Sequence, residues 1–314
     1  MIWCCVPAWL FLASCRTPAK PIELVRRNQP LMGTFVTISA YGSNRQMVQQ
    51  AISEAFDEMR RVDRLMSLHR ADSELNSLNS RSDLEPVKVS PELFQVIVKA
   101  QEIAKETDGS FDITIRPLAD LWGFIWKEYR LPTKTELEAI LPRVNYKLIE
   151  INPARQTIRF LKPGVSLDLG GIGKGYAVDR AIEKLRSLGI SNAMVKAGGD
   201  LRVIGFPPGK TNWTVQLEDP EKRGRRRNIL LRDAALSTSG NYENFFMIHG
   251  KRYSHILNPE TGLPIQNISA CTVIAPTCIE SDAYATAFFV YGQEKTLEKF
   301  GGKLKIQFIL ANDN

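Results

Sequence analysis

Apolar residues along this chain recur with two rhythms, one of two residues and one of three to four. From Met32 to Tyr41, Thr, Val and Ile alternate and predict a strand. From Asn44 to Met66, Val48, Ile52, Ala55, Phe56, Met59 and Val62 recur at helical spacing and form a single stripe. Ser90-Pro91 has the cap and first-turn chemistry of a helix start, and Asp108-Gly109 that of its end. A loop with Trp122 and Trp126 leads to a short helix near Thr135 to Leu141, after which Tyr146 to Leu169 is β-rich. A Gly-rich turn then feeds a helix spanning about Tyr176 to Ser187. From Asn192 onward short strands dominate, among them Trp213 to Leu217 and a hairpin in which Phe245 to Ile248 and Tyr253 to Leu257 flank His249-Gly250-Lys251. The last predicted helix covers Ser281 to Val290. Strands and helices do not alternate as a doubly wound sheet requires, so the pattern predicts an α+β fold with helices packed on a largely antiparallel sheet.

The first residues depart from this pattern. Met1 to Ser14 is apolar, carries no charged side chain and runs into Leu12-Ala13-Ser14-Cys15. It falls short of the roughly 20 apolar residues that span a bilayer and fits the core of a secretory leader. Residues 1–15 therefore read as a signal peptide and lipobox with Cys15 as the lipidated residue, 16–30 as a tether holding Pro18, Pro21 and Pro30, and 31–314 as the folded body. The expected location is an inner-membrane lipoprotein facing the periplasm, or the cell surface. Cleavage would remove Cys4 and Cys5 and leave Cys271 and Cys278 beside the lipidated cysteine. A strand between them would hold their Cα atoms roughly 20 Å apart, against a limit near 7 Å for a bridge, so two buried thiols are expected.

With 314 residues, 44% of them hydrophobic, the chain can fill a substantial core. A net charge of +7 suits an acidic ligand, a membrane surface or nucleic acid alike. The basic run Lys222 to Arg227 lacks interleaved aromatics and reads as a solvated hairpin tip, so no nucleic-acid partner is expected.

The richest stretch is Asp168-Leu-Gly-Gly-Ile-Gly-Lys-Gly-Tyr-Ala-Val-Asp179. Open backbone N–H groups at such glycines, backed by a helix N-terminus, can cradle phosphate oxygens, with Lys174 adding a point charge. It matches neither a P-loop nor a dinucleotide fingerprint, and a tight structural turn is an equal reading of this stretch alone. Ala197-Gly198-Gly199-Asp200 follows an apolar strand and allows close backbone approach, as in a bulge or turn. Asp282 and Thr286 stand four apart at the start of the last predicted helix and face the same way, as hard-cation ligands would, although Ser281 and Asp282 also read as capping residues. His255 lies where a predicted strand meets a polar turn, a place for either a general base or a structural histidine.

In combination these segments resemble the ApbE family of FAD:protein FMN transferases. The resemblance is carried in order by Met32-Gly-Thr34, Asp72-Ser-Glu74, Ser110-Phe-Asp-Ile-Thr114, Leu121-Trp-Gly123, Asp168 to Asp179, Gly198-Gly-Asp200, Thr238-Ser-Gly240, His255 to Gly262 and Ser281 to Ala287. It implies one compact, T-fold-related α+β unit with a cleft between two lobes. It further implies metal-dependent transfer of FMN from FAD to a Thr or Ser hydroxyl of an acceptor flavoprotein, with AMP leaving. The acceptor implied is an electron-transfer subunit at the membrane. Carried over by motif position, Met32, His69, Ser110, Phe111, Asp112, Asp168 and Lys174 would line the FAD site. The Gly171 carbonyl, Asp282 and Thr286 would hold Mg²⁺, and His255 and Lys174 would serve catalysis. Competing readings are an FAD pyrophosphatase giving FMN and AMP, and a non-catalytic FAD-binding lipoprotein. Relative to the family pattern, His69 stands where Tyr or Trp is frequent, Gly173 where Ala is common, and Asn258 where Asp is usual, the last bearing on how His255 is oriented.

Overall fold

Which residues turn the two rhythms into layers is visible in a computed structural model that describes residues 21–311, apart from Ser82 and Arg223. The leader and lipobox lie outside the described residues. The body begins earlier than expected, because Glu23–Leu31 forms β1 and pairs along its length with β2, Thr34–Gly42. Residues 23–30 are therefore not a tether. Pro30 is tolerated because β1 is an edge strand and needs no donor on its outer side.

After β2 come α1 (Arg45–Met66), α2 (Glu74–Asn79), β3 (Val87–Lys88), α3 (Pro91–Glu106), α4 (Arg116–Leu121) and α5 (Lys134–Ile140). The Ser90 cap read from the sequence is in place, its side chain accepting from the amide of Leu93, and α1 has a cap of its own in Asn44, which accepts from the amides of Gln46 and Met47. Trp122 ends α4 rather than lying in a loop, and it roots a separate aromatic cluster with Phe124 and Phe246. Next are β4 (Ile149–Asn152), β5 (Thr157–Phe160), α6 (Gly173–Ser187), β6 (Ala193–Ala197) and β7 (Asp200–Ile204). The hairpin β8 (Trp213–Glu218) and β9 (Arg226–Leu231) turns at the basic run, whose described residues are all solvated. The chain continues through β10 (Ala234–Gly240), the hairpin β11 (Phe245–Ile248) and β12 (Lys251–Ser254), β13 (Ile268–Ala275), α7 (Cys278–Tyr291), α8 (Gln293–Phe300) and β14 (Lys305–Leu310).

The main sheet has the order β1-β2-β6-β7-β10-β13-β14, and every pair in it is antiparallel. Helices α1, α6 and α7 pack on one face, while β8–β9 covers part of the other through Trp213 and Leu231 against Leu201, Val203 and Leu236. The α+β expectation holds. Helix α7 is apolar nearly all round, burying Cys278, Ile279, Ala283, Ala285, Phe288 and Phe289, because it lies between α6 and the strands β10 and β13. Cys271 and Cys278 are buried free thiols, as expected. Among the described residues no helix is long and apolar enough to cross a membrane.

Candidate active cleft

The predicted site residues come from six separate places. Met32 and Gly33 form the β1–β2 turn, both with left-handed φ (53° and 70°) as a two-residue hairpin turn requires. His69 follows the end of α1. Ser110, Phe111 and Asp112 follow α3, Asp168 to Gly171 lead into α6, Lys174 is in its first turn, and Asp282 and Thr286 are on α7. His255 stands one residue beyond β12, past the strand end rather than within it. Two adjoining cavities gather all of them. One, of about 280 Å³, is lined by Ser110, Phe111, Asp112, Gly171, Asp282 and Thr286 among others. The other, of about 490 Å³, is lined by Met32, His69, Phe124 and Ile125 among others. Asp168, Gly170, Lys174 and His255 border both, so the two chambers meet at a charged waist.

The glycine-rich segment departs from the cradle that its sequence suggests. Gly173 and Gly175 are already helical, since α6 starts at Gly173. The amides of Gly170, Gly173 and Gly175 are bonded to Asp168 Oδ1 (2.7 Å), the Leu169 carbonyl (2.7 Å) and Asp282 Oδ2 (2.8 Å). They are spent inside the protein, and the positive charge offered to a ligand is that of Lys174. What the glycine at 175 supplies is contact between helices: a Cβ there would stand 2.3 Å from the Cys278 carbonyl oxygen and 2.7 Å from Asp282 Cβ. Ser281 and Asp282 are in the second turn of α7 and do not cap it. That end is capped from α6 instead, by Asp179, which accepts from the amides of Cys278 (2.9 Å) and Ile279 (2.8 Å) and from Arg202 (2.6 Å).

Lys174 Nζ lies 3.0 Å from Asp200 Oδ2 and 3.6 Å from Asp282 Oδ1, and it donates to the Gly170 carbonyl at 3.1 Å. Its pKa is raised, because Asp200, Asp282 and Glu243 outweigh the burial that opposes charge. Burial, then repulsion by Asp200, pushes Asp282 up, with Lys174 and the Gly175 amide pulling the other way. Glu243 is likewise raised, mainly by burial. Three carboxylates thus face one ammonium, and an anionic ligand would be repelled from this waist unless a cation came with it. Among the described residues, no three His, Cys, Asp or Glu side chains are grouped to hold a metal by themselves. The remaining donors are neutral oxygens: Thr286 Oγ1, 3.1 Å from Ser239 Oγ, and the carbonyl of Gly171, a residue whose added Cβ would be 3.2 Å from Thr286 Oγ1. With the Asp282 carboxylate they make an oxygen set of the kind hard divalent cations take.

Asp112 lines the smaller chamber, but its carboxylate is turned into the protein. Its oxygens accept from the Thr114 amide (2.8 Å), the Thr114 hydroxyl (2.6 Å) and the Tyr146 amide (2.7 Å), and burial pushes its pKa up to about 6. It shapes the wall carrying Ser110 and Phe111. His255 Nδ1 is 3.0 Å from the Asn244 carbonyl, which can only accept, so Nδ1 carries the proton and Nε2 is left with its lone pair. Burial lowers the imidazole pKa to about 4, partly offset by that bond, so it is neutral at pH 7.

The sequence profile of the ApbE family matches residues 32–309. The chain belongs to the ApbE family. The FAD:protein FMN transferase of Vibrio cholerae is 35% identical to it over 91% of this chain and 86% of the relative. That of Escherichia coli K12 is 31% identical over 93% and 86%. Among solved structures, the ApbE protein of Thermotoga maritima superposes with a TM-score of 0.85 at 33% identity, covering 92% of this chain and 94% of that one. The flavin transferase ApbE of Vibrio cholerae does so with 0.82 at 31%, covering 93% and 95%.

In this ApbE family member the waist holds three groups that residue-by-residue reading left without a role. Asp200 was legible only as the end of a Gly-Gly-Asp turn, and Glu243 and Asn244 lie in a polar turn with no motif of their own. Asn258 does not orient His255: its Oδ1 accepts from the amides of Glu260 (2.8 Å) and Thr261 (3.3 Å), closing its own turn. Orientation comes from Asn244 instead.

Proposed function

We propose that this protein transfers the FMN half of FAD to a Thr or Ser hydroxyl of an acceptor flavoprotein and releases AMP. The observation that carries the proposal is the double chamber with a charged waist. Such a cleft suits a two-headed ligand with a ring system at each end and a diphosphate between, and FAD has that form. The relatives named as FAD:protein FMN transferases support it.

The chamber with Met32, His69, Phe124 and Ile125 offers apolar and ring surface for a flavin, and the Phe111 chamber for the adenosine half. Asp282, Thr286 and the Gly171 carbonyl would hold a divalent cation, proposed as Mg²⁺, which when bound supplies charge neutralisation at the diphosphate. Lys174 places a fixed positive charge beside the diphosphate. His255 Nε2 takes the proton of the acceptor hydroxyl as its oxygen bonds to the FMN phosphorus; the bond from that phosphorus to the bridging oxygen breaks, and AMP leaves. By the same proposal the chain works as an exported lipoprotein, tethered through Cys15 near a membrane electron-transfer acceptor; the leader-like first residues support this.

The test is AMP release from FAD and Mg²⁺, recorded with and without an acceptor flavoprotein that the Vibrio cholerae relative flavinylates. AMP that appears only with acceptor, in step with covalent flavin, is the expected result. AMP at the same rate without acceptor would make the protein a pyrophosphatase, and bound FAD with no AMP would make it a carrier.

A further inference from the structure

The residue that aims His255 is itself held by a side chain far away in sequence. The Asn244 carbonyl receives two bonds from His255, one from its backbone amide (3.0 Å) and one from ring Nδ1 (3.0 Å). At the other end of the same residue, Asn244 Oδ1 accepts from the Tyr129 hydroxyl at 3.0 Å. Tyr129 follows α4, more than a hundred residues earlier, and is fixed by stacking on Phe246, with ring centroids 5.1 Å apart and planes at 19°. Phe246 belongs to β11, directly after Asn244, so the clamp closes on itself: Tyr129 grips the strand through its ring and the turn before it through its hydroxyl.

We infer that Tyr129 and Asn244 are positioning residues for the proposed base, holding the His255 imidazole in the tautomer whose Nε2 lone pair faces the waist. Neither reaches the reacting atoms; they act through His255. An unclamped turn 241–244 would let the Asn244 carbonyl rotate off Nδ1, and the ring would then carry its proton on either nitrogen. The protonated-Nε2 form cannot accept a proton from a hydroxyl. The inference rests on the proposed role of His255, but its geometry does not.

The experiment is ¹⁵N NMR of the histidine rings in the full folded protein, with His255 assigned by His255→Gln, alongside steady-state FMN transfer. Wild type should show His255 protonated at Nδ1. Tyr129→Phe keeps the ring stacked on Phe246 and so keeps the fold. It and Asn244→Ala should each give a mixed tautomer signal and a kcat lower by on the order of tenfold, with KM for FAD unchanged in Tyr129→Phe, since Tyr129 lines neither chamber. The double variant should be no worse than Asn244→Ala, because both act through one bond. An unchanged Nδ1-protonated signal in both variants would overturn the inference whatever happens to kcat, as would an Nε2-protonated wild type. The tautomer is read without turnover, so a wild type that transfers no FMN would defeat the proposed reaction and leave the clamp to be decided by NMR.

Discussion

At the scale of single residues, charge and protonation at the waist decide what the cleft can do. His255 is held neutral, with its pKa near 4 against an ordinary 6.5, chiefly by burial. A base with that pKa is ready throughout the neutral range. The ratio of wild-type to His255→Gln transfer rates should therefore be constant from about pH 6 to 8; an acid limb in that ratio near 6.5 would show an ordinary, solvated imidazole. The same shift sets a stability trend. Because the folded-state pKa is depressed, the contribution is present above the unfolded value and is lost as pH falls through about 4. Wild type should accordingly lose urea resistance relative to His255→Gln on going from pH 6.5 towards 4. Lys174 is the other deciding residue, with Asp200 and Asp282 side chains each only 4% exposed beside it. Lys174→Met should abolish transfer and lower stability by about 3 kcal/mol, since it strands two buried carboxylates. Mg²⁺ should restore part of that loss. A change under about 1 kcal/mol in denaturant titrations would mean that the ammonium is a surface charge rather than a buried partner.

At the scale of elements, the site depends on how closely α6 and α7 approach. Gly175→Ala would push a methyl into the Cys278 carbonyl and Asp282 Cβ, costing about 1–3 kcal/mol of stability and most of the transfer activity. Gly173→Ala is the control, because its nearest neighbour would be Leu169 Cβ at 3.9 Å. That change should stabilise the helix by about 0.5–1 kcal/mol with little effect on transfer. Equal effects of the two substitutions in thermal unfolding would contradict this account of the glycines. Asp179 ties the same helices from behind. Asp179→Ala would uncap two α7 amides and leave Arg202 buried without its carboxylate, a loss of about 3–5 kcal/mol; a denaturation midpoint close to wild type would show that α7 is placed by packing alone. Sequence rhythm located α1, and the Ser90-Pro91 and Asp108-Gly109 signals located α3, to within one or two residues because stripes and caps are local. It misplaced the start of α6 and passed over α8, since a helix opening on Gly-Lys-Gly carries no cap signal and one of eight residues carries little periodicity.

At the scale of the whole molecule, the order of motifs along the chain revealed more than any one of them. The residues carried over by resemblance all line the two chambers, although they come from both ends of the chain. What stayed hidden was pairwise and long-range. Asp200 and Asp282 meet Lys174, Asn244 meets His255, and Tyr129 meets Asn244 only once the antiparallel sheet and its helices have closed. The tether was overextended for a related reason: a proline in the sequence reads as a break, whereas an edge strand accepts it. The central claim, that this double chamber moves FMN from FAD onto a protein, is tested most directly by the intact mass of the acceptor after incubation with this protein, FAD and Mg²⁺. A gain equal to one FMN less one water, absent with Asp282→Ala, is the predicted result; an acceptor of unchanged mass alongside FAD turned over to FMN and AMP would contradict it.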